Sequence, residues 1–118
     1  MLTRSVSCFD TAGENFYHGF MLGICAILGN SYTTSNRESG QGRYDIQLMP
    51  KTDNLPGILI ELKAEKSAKG DGLKKLSEGA LRQIVEKKYD SEMLAKGIKT
   101  IYKYGVAFSG KEVEVTTE

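Results

Sequence analysis

Two β-patterned segments joined by a run of turn formers constrain this chain more than any other feature. Arg43-Tyr44-Asp45-Ile46-Gln47-Leu48-Met49 alternates, and Ile58-Leu59-Ile60-Glu61-Leu62-Lys63 is a short apolar strand that turns polar at its end. Between them, Pro50-Lys51-Thr52-Asp53-Asn54-Leu55-Pro56-Gly57 carries two prolines that cannot sit inside a central strand. An antiparallel hairpin symmetric about Asp53 sets Asp45 opposite Glu61, because each lies eight positions from the centre. Opposed residues share a face, with Cβ atoms about 4.5–5.5 Å apart. Period-two alternation then puts Glu61 and Lys63 on that face, while Ile60 and Leu62 point to the other.

Two opposed carboxylates repel, so such a pair is neutralised by a cation or keeps one member protonated. Two acids and an amine on adjoining strands suit a hard metal ion and a water beside a phosphodiester. The alternative is a solvated sheet face on which Lys63 pairs with one acid.

At 118 residues the chain forms one domain, 1–118, with a single core. A hydrophobic content of 40% with 26% charged residues is that of a soluble globular protein. The net charge of +1 argues against a wholesale nucleic-acid coat and leaves room for a local basic stripe. Cys8 and Cys25 make neither a disulfide framework nor a zinc-finger spacing, which points to a reducing cytoplasm. The longest apolar run, Phe16 to Leu28, contains His18 and falls short of the about 18 residues of a membrane span. No membrane partner is expected.

Along the chain, a first helix starts near Thr11 and runs to Leu28, apolar over so wide a face that it reads as mostly buried. Ser31 to Ser35 is β-prone and precedes the Asp45 strand. Ala64 to Gly72 reads as a charged loop or a frayed helix start. A second helix follows on Leu73, Leu76, Ala80, Leu81, Ile84 and Val85, then a short one from Ser91 to Lys96 capped by Asp90. Strands around Val106-Ala107-Phe108 and Lys111 to Val115 close the chain. The order is α-β-β-β-α-(α)-β-β.

That order, with Asp45 and Glu61-Leu62-Lys63 on strands two and three, resembles the PD-(D/E)XK nuclease superfamily. Longer strings narrow it: Glu14 to Phe20, Ser35-Asn36-Arg37-Glu38-Ser39-Gly40 with Gly42 to Ile46, and Ala80-Leu81-Arg82-Gln83-Ile84 with Lys87 and Tyr89. These are similar to the nuclease domain found C-terminal to AAA-ATPase-like proteins. Tyr44 stands where the family often has proline, but the aspartate that follows it is the metal ligand. The resemblance implies an α/β, restriction-endonuclease-like core, a mixed central sheet flanked by helices. It also implies Mg²⁺ or Mn²⁺ held by Asp45, Glu61 and the Leu62 carbonyl, with Lys63 as the catalytic amine. Two carboxylates beside that amine favour its charged form, hence an electrostatic role.

Glu14 admits two roles, a member of the metal shell by resemblance or the closing member of a Thr11–Glu14 capping box. Gln83 and Lys87 lie four apart on one helix face, which the resemblance sets over the site and the sequence alone leaves as an exposed flank. Arg43 shares the face of Asp45 and suits a phosphate contact. Lys66 belongs to a cluster of lysines that either tracks a phosphate backbone or is a solvated face. Tyr89 fits a core edge as well as a site.

The expected activity is metal-dependent hydrolysis of nucleic-acid phosphodiesters, with DNA the substrate by resemblance. The competing readings are a non-catalytic nucleic-acid-binding or assembly module working with an AAA-ATPase partner, and a homodimerisation domain. The chain reads either as a stand-alone relative or as a piece of a larger ATPase-containing protein.

Overall fold

The computed structural model describes residues 13–40, 42–52, 54–65, 71–109 and 112–118. Helix α1 (Gly13–Leu28) leads through a 3₁₀ turn into strands β1 (Tyr32–Gly40), β2 (Arg43–Pro50) and β3 (Gly57–Ala64). Helices α2 (Asp71–Glu86) and α3 (Ser91–Ala95) then precede strands β4 (Ile101–Ser109) and β5 (Glu112–Thr117). This is the element order that the residue patterns predict. The five strands form one sheet in the order β1-β2-β3-β4-β5. Only the β3–β4 pair is parallel, and α2 supplies the long crossover that such a pair requires. The architecture is α/β with a mixed sheet and helices on both faces.

The alternation of β2 separates two cores. Tyr44, Ile46 and Leu48 join Ile60, Leu62, Val106 and Phe108 on one face, where α1 packs Phe20, Ile24 and Leu28 against them. On the other face, Leu59, Ile84 and Met93 form a second cluster beneath α2 and α3. The candidate acids belong to this second face.

Helix α1 differs from the buried helix expected from its composition: Leu22 is 72% exposed and Ile27 80%. Positions 20, 24 and 28 repeat every four residues, so one sheet face covers only that stripe of an all-round apolar helix. Asp90 also departs from expectation. It holds the N-cap position of α3 but makes no side-chain cap bond, because its carboxylate lies 3.1 Å from Lys103 Nζ.

Gly105 decides where α2 sits. A Cβ there would overlap the Ser77 carbonyl and stand 2.5 Å from the Leu81 nitrogen, so the helix backbone rests directly on β4. The Ser77 hydroxyl donates to the Lys74 carbonyl at 2.8 Å and lies 2.6 Å from Thr116 Oγ1, tying the same turn of helix to β5.

Candidate active site

The β2–β3 hairpin has the register that symmetry about Asp53 predicts: Asp45 pairs with Glu61, and Arg43 with Lys63. Gly42, with φ of +74°, ends the β1–β2 turn, and its carbonyl accepts the Ala64 amide at 2.8 Å. That closure fixes the strand ends carrying Arg43 and Lys63. On the other flank β1 sets Arg37 opposite Asp45, and on β4 Gly105 lies opposite Glu61. One row across the sheet therefore reads Arg37, Asp45, Glu61, Gly105.

Glu61 is the anomaly of this row. It is 0% exposed in the central strand, and among the described residues neither carboxylate oxygen meets a hydrogen-bond donor other than a proton shared with Asp45. Burial pushes its pKa up to about 9, Asp45 pushes the same way by a shared proton and by charge, and Lys63 and Arg43 work against them. The absent side chain at Gly105 lets α2 close over this position and exclude water from it. A buried carboxyl so placed is a neutral acid, or an anion that needs a cation beyond Lys63 and Arg43 to hold it.

A divalent ion would meet that need. Among the described residues, no group of three or more His, Cys, Asp or Glu side chains assembles to hold a metal. Mg²⁺ uses one or two carboxylates and keeps several waters, so Asp45 and Glu61 match its demands while a nitrogen- and sulfur-rich metal site does not.

The remaining residues fall around the pair. A methyl on Gly79 of α2 would stand 3.9 Å from Lys63 Nζ, which locates the ammonium against that helix. Gln83, one turn further on, donates its amide to the Tyr89 phenol. Tyr89 is raised in pKa by burial first and then by the Asp45 charge, with the Gln83 bond opposing. It lines a cavity of about 150 Å³ together with Arg37, Ser35, Asp45 and Gln47. So Tyr89 sits at the site, and Gln83 reaches the site through it. Lys87 is exposed in the turn after α2. Glu14 falls in the first turn of α1, but its side chain, and all of Lys66, lie outside the described residues. Leu62 sends its side chain into the α1-side core, between the two site residues on its own strand.

The sequence profile of the PD-(D/E)XK nuclease superfamily matches residues 12–118. The chain belongs to that superfamily. The match spans both acids, Lys63, the Gly105 contact and the two strands that follow α2. No curated protein matches the chain. Folding alone would favour an apolar side chain where Glu61 stands on the central strand.

Arg37 went unassigned in the sequence, although a signal was there. Arg37 and Asp45 are equidistant from Gln41, and the Gly40–Gly42 turn marks the centre of that hairpin as clearly as Asp53 marks the next. Tyr89 has no such signal. It turns toward the acids after Lys88, whose φ of +53° is a conformation that a lysine does not announce.

Proposed function

We propose that this domain is a metal-dependent nuclease that hydrolyses phosphodiester bonds, with DNA as its substrate. Asp45 and Glu61 would hold Mg²⁺ or Mn²⁺, with the Leu62 carbonyl as a further oxygen ligand. When bound, the metal supplies an activated water and stabilises charge on the phosphate. Lys63 sits on the same face, one alternate position from Glu61, and contributes a fixed positive charge to the phosphate oxygens as negative charge builds there. Arg43, paired with Lys63 across the hairpin, adds a second cation, and its Nε is buried with no hydrogen-bond partner among the described residues. Gln83 positions Tyr89 beside Asp45, and a metal-shell role for Glu14 rests on family analogy alone.

One observation carries the reading: a carboxylate in the central strand, fully buried and facing a second carboxylate, whose oxygens meet no donor among the described residues beyond a proton shared with Asp45. Such a group weakens the fold unless something binds it. The DNA preference, an AAA-ATPase partner, a homodimer and a cytoplasmic setting belong to the same proposal. They rest on family analogy and composition, which warrant less than a site does.

The deciding experiment incubates the purified chain with Mg²⁺ or Mn²⁺ and a panel of linear, single-stranded and branched DNA and of RNA. Glu61→Ala and Lys63→Ala run beside it. Cleavage should require metal and fall at least about 10²-fold in Lys63→Ala while its melting temperature holds. Absence of cleavage in every lane would overturn the catalytic reading and leave a binding module.

A further inference from the structure

Helix α2 lies over β3, β4 and β5, whereas the same face of β1 and β2 opens into two hollows. The first is the cavity of about 150 Å³ beside Asp45. The second is larger, about 890 Å³, and is reached through Thr33 and Met49 of the same two strands. Arg37, Ser35 and Thr33 alternate on β1 as Asp45, Gln47 and Met49 do on β2, so one continuous floor joins the hollows. Asp45 and Pro50 lie five residue steps apart on β2, a run of about 17 Å.

The far hollow is basic. Lys51, Lys96 and Lys99 line it, and among its described lining residues none is acidic. Asp53, in the same loop, lies outside the described residues. Lys96 has Glu92 at 3.6 Å, an exposed pair that water screens. Tyr102, 49% exposed, stands at the rim. The walls are fixed by backbone: the Lys51 amide donates to the Ser31 carbonyl and the Gly57 amide to the Thr100 carbonyl, both at 2.8 Å. The Tyr32 hydroxyl donates to the Pro56 carbonyl at 2.8 Å.

We propose that a single strand of nucleic acid runs from the acids along the β1–β2 face and lays its phosphates on Lys51, Lys96 and Lys99. Charge complementarity and continuity with the candidate site select this occupant. Its single-stranded form follows from the floor, which is two strands wide with about 5 Å between them and so carries one backbone rather than two. The starting point of the strand rests on the nuclease reading; the basic groove does not.

Binding of labelled DNA and RNA oligonucleotides of increasing length, measured without divalent metal, tests the track. Wild-type affinity should rise with length until the strand reaches the lysines. The triple variant Lys51→Gln/Lys96→Gln/Lys99→Gln should lose that rise and show a log–log salt dependence shallower by roughly two, about 0.7 per phosphate contact. With metal, it should cleave the shortest oligonucleotides as wild type does. A triple variant that keeps its fold and the wild-type length and salt dependence would overturn the track, as would tighter, equally lysine-dependent binding of a duplex. Lysine-dependent binding with no cleavage would sink the nuclease reading and leave the groove standing. The DNA and RNA arms identify the sugar.

Discussion

Glu61 couples the candidate chemistry to stability. Its pKa in the fold is raised, so in the metal-free protein its stabilising contribution is fully present below the ordinary carboxylate range. That contribution is lost as pH climbs from about 4.5 to about 9, because the unfolded chain ionises and the fold resists. Metal-free melting temperature should therefore fall across this window, and Glu61→Gln should flatten the fall, as calorimetry at several pH values would show. Added Mg²⁺ should bind more tightly as pH rises and release up to one proton, readable from heats in buffers of different ionisation enthalpy. Unchanged metal affinity between pH 6 and pH 9 would contradict this. The Asp45–Glu61 pairing was legible beforehand because two prolines and a symmetric turn leave a hairpin little choice of register. The burial of Glu61 was not, since it depends on a helix that arrives from distant sequence and on a missing side chain at Gly105.

Among the elements, α2 is the one held by the least forgiving contact. Gly105→Ala would drive a methyl into the helix backbone at Ser77 and Leu81, and backbone cannot rotate away as a side chain can. We expect a loss of about 3 kcal/mol or more in denaturant unfolding. Gly57→Ala should cost far less, since the atoms it would meet first are the flexible end of Met93. Element order was readable throughout, because hydrophobic period and turn residues are local properties. The role of Asp90 was not, because a cap position and an ion-pair partner look alike until Lys103 is placed beside them. Lys103 is lowered by burial but raised overall by Asp90 and Glu118, so it clamps the turn before α3 to the chain end. Lys103→Met should destabilise by about 2 kcal/mol and expose the last strand to carboxypeptidase.

Across the whole molecule, the sheet has two unlike sides. One carries α2, α3 and the candidate site; the other carries α1, whose outer face keeps Leu22 and Ile27 in solvent. Composition alone suggested a buried helix because it counts apolar residues without knowing how wide a stripe a single sheet can cover. Leu22→Lys with Ile27→Glu should shift stability by no more than about 0.5 kcal/mol. A large loss of stability, or a change in sedimentation, would mean that this face is covered in solution.

The crossover through α2 has a consequence for how the chain reaches its native state. The Asp45–Glu61 hairpin is local, with eight residues on each side of its centre, whereas the parallel β3–β4 pair waits for a long excursion to close. Until α2 docks on Gly105, Glu61 is an ordinary solvated acid. In the absence of metal, docking is the step at which the folding protein takes a proton from solution. A refolding jump followed with a pH indicator would time that single event apart from the rest.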